Sequence, residues 1–500
     1  MNIALFLQMA AEACPNRSAL THNGNHYSYA HLYVAAKNAA NKFSRARCRY
    51  ISLIGESSPA VPIALMGAAM AGVPYVPINY RLSEEQIVPL LERIDPAYLI
   101  TEKTQVPYSN DNWVIQNPND FITDVMKGND PEISWHEDPS AIAVQLFTSG
   151  TTGDPKAAIL RHEHLVSYIL GSVEFMGALE EEASLVSVPP YHIAGISAIL
   201  SSIYACRHVV QLPSFDPIEW LNLCSQERVT SAFLVPTMLT RIMEILDKQE
   251  NEAANLTSLE SIAYGGGKMP LPIIEQALRR FPNVNFTNAY GLTETSSTIT
   301  LLDPQDHRKA IASNDDKIRA RLGSVGKTLP SIELEIRDEE GKQLEAGEAG
   351  EIYVRGPQVS GEYDSHSVLE NDGWFPTRDS GYLDQYGFLY LSGRADDVIV
   401  RGGENMSPGE IEDVLHLHPA IQDVAAVGIP SEEWGQVVAL AVVLLEDAEI
   451  TKEEICSYVQ EHLRSSRVPE LIHFTRELPY NDTGKLLRRI ISEWFNPKSG

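Results

Sequence analysis

Paired cysteines are missing from this 500-residue chain. The five it has, Cys14, Cys48, Cys206, Cys224 and Cys456, are odd in number and never spaced as C-x-x-C. That excludes a disulfide framework and a cysteine-built zinc site, and it suits a reducing, cytoplasmic setting. Basic charge is also scarce: 39 Lys and Arg face 67 Asp and Glu, a formal net charge of −28. A surface this acidic repels nucleic acid and anionic membranes, so neither is an expected partner. Any anionic ligand has to be held by local design against the global field, which makes each well-placed lysine or arginine informative. No apolar run is clean enough for a membrane span. The longest, Ala60 to Ile78, carries three prolines and leads into the charged helix start Ser83-Glu84-Glu85. It reads as a buried helix followed by a strand. The opening MNIALFLQMAAEACPNR lacks a basic n-region and contains Glu12, so an amphipathic first helix is expected rather than a signal peptide.

What is present is alternation. The length is too great for one ordinary core, so at least two domains are expected. From about Asn25 to Leu302, strand-like runs (YISLIG, YLIT, AIAVQLF, SAFLVP) alternate with helical ones (PIALMGAAMAG, TMLTRIMEIL). That pattern argues for parallel α/β sheets. Past Ser324 the texture changes to short strands and Gly-rich turns, IELEIRDEEGKQLEAGEAGEIYVRG, as in a small antiparallel sheet or barrel. Near residue 394 it changes again. SPGEIEDVLHLHP reads as a helix with Ser407 as N-cap, Pro408 in the first position and Glu410 closing a capping box. The last hundred or so residues read as a separate small α+β domain.

The stretch LFTSGTTGDPKAAIL, residues 146–160, follows the strand-like AIAVQLF. Its Thr148-Ser149-Gly150-Thr151-Thr152-Gly153 run and Lys156 offer many N–H and O–H donors and one cation, a chemistry that suits phosphate. The spacing is not that of the common P-loop. In NAYGLTET, from Asn288 to Thr295, Tyr290 could stack on a purine, Thr293 bond a phosphate and Glu294 hold Mg²⁺. Asp379 and Arg394 offer an acceptor and a donor to a ribose diol, and Lys485 follows a Gly484 turn in PYNDTGKLLRR.

In this order, these stretches resemble the adenylate-forming superfamily of AMP-binding enzymes, from NHYSYAHLYVAAKNAANKF to TGKLLRR. The resemblance implies a large N-terminal domain over residues 1–393, built of parallel α/β subdomains and a small β-barrel. A hinge at 394–397 and a mobile C-terminal α+β lid domain at 398–500 follow. It implies ATP, Mg²⁺ and CoA as cofactor and co-substrates. The 148–153 loop and Lys156 would wrap the β- and γ-phosphates. Tyr290 would pack on adenine, with Asn288, Ala289 and Gly291 around it and Gly265 and Gly266 on the other side. Asp379 and Arg394 would take the ribose, Thr293 the α-phosphate and Glu294 the Mg²⁺. Lys485 would bridge the carboxylate and α-phosphate. Tyr191, His192, Val235, Pro236, Gly265, Gly266 and Gly267 would line the acyl pocket, with His192 at its carboxylate end.

VIVRGGENMSPGEIEDVL resembles the acyl- and aryl-CoA ligase branch, where Gly402 and Gly403 let pantetheine thread past backbone. The expected reaction joins a fatty or aromatic monocarboxylic acid to AMP, with pyrophosphate released, and then to CoA. A carrier-protein phosphopantetheine thiol is the alternative acceptor. No cation is evident for a second carboxylate. One departure stands out: Thr377-Arg378-Asp379 replaces the family's Thr-Gly-Asp, which puts a side chain where the turn favours glycine. Asp396 occupies the family's hinge position. Lys485 and the Gly402-Gly403 pair lie on different stretches of the lid, so it has to rotate between the two steps. Asp396→Pro, by fixing φ near about −65°, should leave adenylation measurable by pyrophosphate release while thioester formation collapses. Two half-reactions near wild type would place the hinge elsewhere.

Overall fold

A computed structural model describes residues 1–495 except 103–105, 107–109, 136, 149–154, 249–255, 365, 395–396, 402–403, 432, 447 and 482–485. Its centre is a nine-stranded sheet. In spatial order the strands are Lys327–Thr328, Ser297–Leu302, Asn285–Leu292, Ser261–Gly265, Ser231–Leu234, Ala183–Val186, His208–Gln211, Ser18–His22 and Asn25–Ser28. The six strands from Asn285–Leu292 to Ser18–His22 pair in parallel, and the outer ones pair antiparallel. Crossover helices cover it, each started by local chemistry. Asp216, for example, accepts from the Ile218 and Glu219 N–H groups at 2.9 and 3.0 Å, and Pro217 opens the helix Pro217–Gln226.

The run that excluded a membrane span is the helix Ala60–Ala71, buried from Ala60 to Met70 and closed by Gly72 in the left-handed conformation. It packs on the helix Tyr29–Ala46 so closely that a Cβ on Gly67 would lie 2.7 Å from the Ala39 Cβ. No helix of the described residues is long and apolar enough to cross a membrane. The expected first helix is Ala4–Ala13, with Ala4, Phe6, Leu7, Ala10 and Ala11 buried.

Beside this layer, Ile142–Thr148 and Lys156–Arg161 form an antiparallel hairpin whose outer edge pairs with Glu362–Tyr363. The Gly-rich texture after Ser324 folds as an antiparallel sheet of Glu333–Arg337, Gly350–Arg355, Phe375–Leu383 and Leu389–Arg394. The C-terminal segment carries its own five-stranded sheet, including Ile421–Ser431, Gly435–Leu444 and Leu471–Thr475, with the helices Pro408–Leu415, Lys452–His462 and Arg488–Phe495.

Ser407 caps the Pro408–Leu415 helix by accepting from the Gly409 N–H at 3.1 Å. The expected reciprocal box is not made: Glu410 turns to Arg467 instead, at 3.1 Å. A cation–carboxylate hydrogen bond is the stronger partner for that side chain. This segment contacts the rest through Lys268, which pairs with Asp413 at 2.6 Å and donates to the Gly409 carbonyl at 3.5 Å. Ser407 also bonds the Ser392 carbonyl. The Lys268–Asp413 pair is half exposed, and pairs of that kind contribute only about 0–1 kcal/mol.

Candidate active site

Four neighbouring parallel strands end on one sheet edge, and most of the expected residues follow from their C-terminal ends. Tyr191 and His192 come after Ala183–Val186, Val235 and Pro236 after Ser231–Leu234, and Gly266 and Gly267 after Ser261–Gly265. Asn288 to Gly291 lie in the C-terminal part of Asn285–Leu292, and Thr293 and Glu294 stand in the single turn Thr293–Thr295. The carboxyl edge of a parallel sheet is where α/β folds hold ligands. Val235, Pro236 and Tyr191 are buried walls, and the Tyr191 ring packs against His192 and, edge-on, Tyr80. A Cβ on Gly265 would sit 2.2 Å from the Ala289 carbonyl, so glycine is obligatory where these two strand ends converge. Asn288 is buried and its amide donates to the Ser324 carbonyl at 3.1 Å.

A second group is assembled across sheets. Asp379 and Arg394 are direct cross-strand partners in adjacent antiparallel strands, with Arg394 Nε 3.0 Å from Asp379 Oδ1. Tyr290 Oη donates to the other carboxylate oxygen at 2.7 Å. Burial and the neighbouring Asp379 charge push the Tyr290 phenol well up, so it stays a donor. Burial opposes the Arg394 charge, but Asp379 and the nearby Glu294 and Asp397 outweigh it and raise its pKa.

Asp379 reaches this position through a bulge. Glu351 and Tyr353 pair with Ser380 and Pro376, so Ile352 alone faces Thr377, Arg378 and Asp379. Thr377 Oγ1 fixes the kink by donating to the Ile352 carbonyl at 2.8 Å and accepting from the Asp379 N–H at 3.1 Å. Arg378 sits at its apex with φ +62°. That is the conformation the family's glycine serves.

Glu294 is buried and clamped at both ends. The Ser360 N–H and Oγ donate to its carbonyl at 2.8 and 3.1 Å, and Tyr363 Oη donates to its carboxylate. The chain leaves it through Ser296 and Ser297 at φ +56° and +116°. These conformations are costly for serine, and the Ser296 hydroxyl anchors them on the Gln358 carbonyl at 2.8 Å. Lys156 Nζ lies 5.7 Å from the centre of the same Tyr363 ring. Thr148 and Lys156 face each other across the hairpin, which closes the base of the segment between them. Ser149, Gly150, Thr151, Thr152, Gly153, Asp396, Gly402, Gly403 and Lys485 lie outside the described residues.

Sequence reasoning missed three residues. Tyr363 is 69 positions from Glu294 and carries no signal in its own stretch. Arg81 and Arg241 line one cavity of about 230 Å³, together with Tyr80, Ser187, Phe215 and Asn481. Two guanidinium groups thus stand beside the expected acyl pocket, where no cation for a second carboxylate was evident. Arg241 follows the strand end Leu234 within two helical turns, and that placement is the signal that could have found it.

Residues 7–364 match the AMP-binding enzyme family and 410–485 match the AMP-binding enzyme C-terminal domain. The chain belongs to the AMP-binding enzyme family. It is 31% identical over 495 residues to a 2-succinylbenzoate–CoA ligase of Bacillus licheniformis, covering 97% of this chain and 98% of that protein. It is also similar to the o-succinylbenzoate CoA synthetase of Bacillus subtilis. The complex of that protein with its acyl-adenylate intermediate superposes with a TM-score of 0.82 at 29% identity, covering 97% of both chains. Its complex with ATP and a magnesium ion does so with 0.82 at 28%, covering 97% of this chain and 98% of the other. This chain is accordingly an AMP-forming acid–CoA ligase, with ATP and CoA as co-substrates.

The left-handed Arg378 yields a stability test. Such a conformation costs a non-glycine residue about 1–2 kcal/mol, against roughly 0.5–1 kcal/mol of added chain entropy for glycine. Arg378→Gly should therefore stabilise the ligase by about 0.5 kcal/mol in urea unfolding, while Arg378→Val should destabilise it by more than about 1 kcal/mol. A glycine variant that unfolds at lower urea would contradict the strained apex.

Proposed function

We propose that this ligase activates an aromatic carboxylic acid carrying a second acidic group, of the kind 2-succinylbenzoate presents. The full-length likeness to ligases named for that acid carries the reading. The Arg81 and Arg241 guanidinium groups and the Ser187 hydroxyl, which is buried without a partner among the described residues, support it. A buried hydroxyl such as that of Ser187 discriminates by being left unpaired when the wrong acid binds, and the two exposed guanidinium groups add charge attraction for a second carboxylate.

The chemistry follows from charge. A carboxylate is a poor acyl donor because oxide would have to leave. Attack of a carboxylate oxygen on the α-phosphorus of ATP forms a mixed anhydride and expels pyrophosphate. Attack of the CoA thiol on the acyl carbon then forms the thioester and expels AMP. The first step brings two anions together. We assign Thr148 to Gly153 and Lys156 to the outgoing phosphates, Thr293 to the α-phosphate and Lys485 to the bridge between carboxylate and α-phosphate. Asp379 and Arg394 take the ribose, with Tyr290 and Gly265–Gly266 around the adenine, and His192 guards the carboxylate end of the acyl pocket. CoA passes Gly402 and Gly403, with the lid turning about 394–397.

Glu294 fits a Mg²⁺ brought with ATP. The described residues contain no cluster of three metal-ligating side chains, and Mg²⁺ in nucleotide sites is held by one or two carboxylates plus phosphates. The ion would neutralise charge on the triphosphate. Use of ATP and CoA supports a cytoplasmic location.

A panel of acids assayed for pyrophosphate release and thioester formation with free CoA tests the reading. 2-Succinylbenzoate should give a higher kcat/KM than benzoate, fatty acids or an analogue lacking the second carboxylate. Arg241→Gln should raise the KM for the diacid five- to tenfold, equivalent to about 1 kcal/mol, and spare the analogue. An unchanged KM for the diacid, or a rise in the KM for CoA instead, would assign the guanidinium elsewhere. Pyrophosphate release without thioester would favour a carrier-protein acceptor.

A further inference from the structure

Among the described residues, the Tyr363 side chain meets both charges expected at the triphosphate. Its hydroxyl donates to the buried Glu294 carboxylate and its ring lies under the Lys156 ammonium. Its own position is heavily determined. Tyr363 pairs with Ala158 on the strand that begins at Lys156. On one side of it, Glu362 makes a two-pronged contact with Arg161, at 2.9 and 2.8 Å. On the other, the Asp364 N–H donates to the Ala157 carbonyl at 2.8 Å and its carboxylate meets Arg93. Arg93 also donates to the Pro155 carbonyl at 2.5 Å, beside Lys156. Ser360 and Gly361, just before Tyr363, hold the Glu294 carbonyl. Five residues, 360 to 364, therefore tie the strand that carries Lys156 to both ends of Glu294.

A carboxylate that holds a cation needs a fixed direction. A lone buried Glu side chain has two rotatable bonds beyond Cβ and two equivalent oxygens, so orientation comes from what bonds the oxygen that does not face the metal. Here the Tyr363 hydroxyl occupies one of the two carboxylate oxygens, Oε1, so an ion held by Glu294 would take Oε2. We propose that Tyr363 is a positioning residue for the nucleotide-borne Mg²⁺: its O–H orients the Glu294 carboxylate, and its ring keeps Lys156 beside it. This rests on the reading that Glu294 takes the Mg²⁺ of ATP.

Calorimetric binding of ATP, with Mg²⁺ and with EDTA, tests it on the full chain. Partners that orient metal ligands are worth about 10–100-fold in metal affinity. Tyr363→Phe should raise the Kd for Mg·ATP about tenfold and leave the Kd for metal-free ATP within twofold. Tyr363→Leu, which also removes the ring, should weaken both. Glu294→Gln is the reference for a site that has lost its metal carboxylate. If Glu294→Gln loses the Mg²⁺ preference while Tyr363→Phe keeps it, the positioning role is overturned and the Glu294 reading stands. If Glu294→Gln keeps the preference, both fall. Equal weakening of both nucleotide forms by Tyr363→Phe, or failure of that variant to fold, would make the hydroxyl a support of the fold rather than of the metal, and also overturns the proposal.

Discussion

Because Ala183–Val186, Ser231–Leu234, Ser261–Gly265 and Asn285–Leu292 pair in parallel, their C-terminal ends emerge on the same edge, bringing Tyr191 and His192, Val235 and Pro236, Gly266 and Gly267, and Tyr290 to it in that order. A parallel sheet admits this because each strand returns through a crossover helix. Every strand end then faces the same way, and the loops after them share one cleft. The close approach at Gly265, where no Cβ fits against the Ala289 carbonyl, is the local cost of bringing two of those ends together. The antiparallel sheet adds what the parallel one cannot reach. Its bulge at Thr377–Asp379 swings a carboxylate toward Tyr290, and cross-strand pairing delivers Arg394 to the same carboxylate.

The chain as a whole repels the ligands it uses. At −28 net charge, the long-range field opposes ATP, CoA and an acid alike, so attraction has to come from short-range groups in a partly dry cleft, where screening is weak. Arg394 is a partly buried cation whose charge is stabilised by the carboxylates of Asp379, Glu294 and Asp397. Arg81 and Arg241 are different. They are exposed, and each lies over an aromatic ring, Tyr80 and Phe215, at 5.3 and 5.7 Å.

Much of this was legible in residue order. Alternating strand and helix texture gave the parallel sheet, the shift after Ser324 the antiparallel one, and the change near 394 the C-terminal α+β unit, because each depends on local periodicity. Asp379 and Arg394 were legible as a pair, since fifteen residues of hairpin bring them face to face. Glu410 was misread because a capping box is judged from spacing alone, while Arg467, 57 positions away, competes for the same carboxylate. Tyr363, Arg81 and Arg241 were not legible for the same reason: their partners are distant in sequence, and only the fold reveals who meets whom.

Arg378 shows how far local preference can be overruled. Its left-handed φ is the conformation a turn assigns to glycine, yet the bulge persists with an arginine at its apex. The hydrogen bonds of Thr377 to the Ile352 carbonyl and the Asp379 N–H, and that of the Arg378 N–H to Glu351 at 3.2 Å, over-determine the kink. The same logic holds at Ser296 and Ser297, where Gln358 and Ser296 pin an unfavourable backbone directly after Glu294. In both places strain sits within two residues of a buried carboxylate, and neighbours from a different segment of the chain hold it there. Orientation of the two acidic side chains is thus bought by backbone that would relax if those neighbours were removed, which ties the geometry of the cleft to the antiparallel sheet and the 358–364 segment more than to the strand ends that frame it.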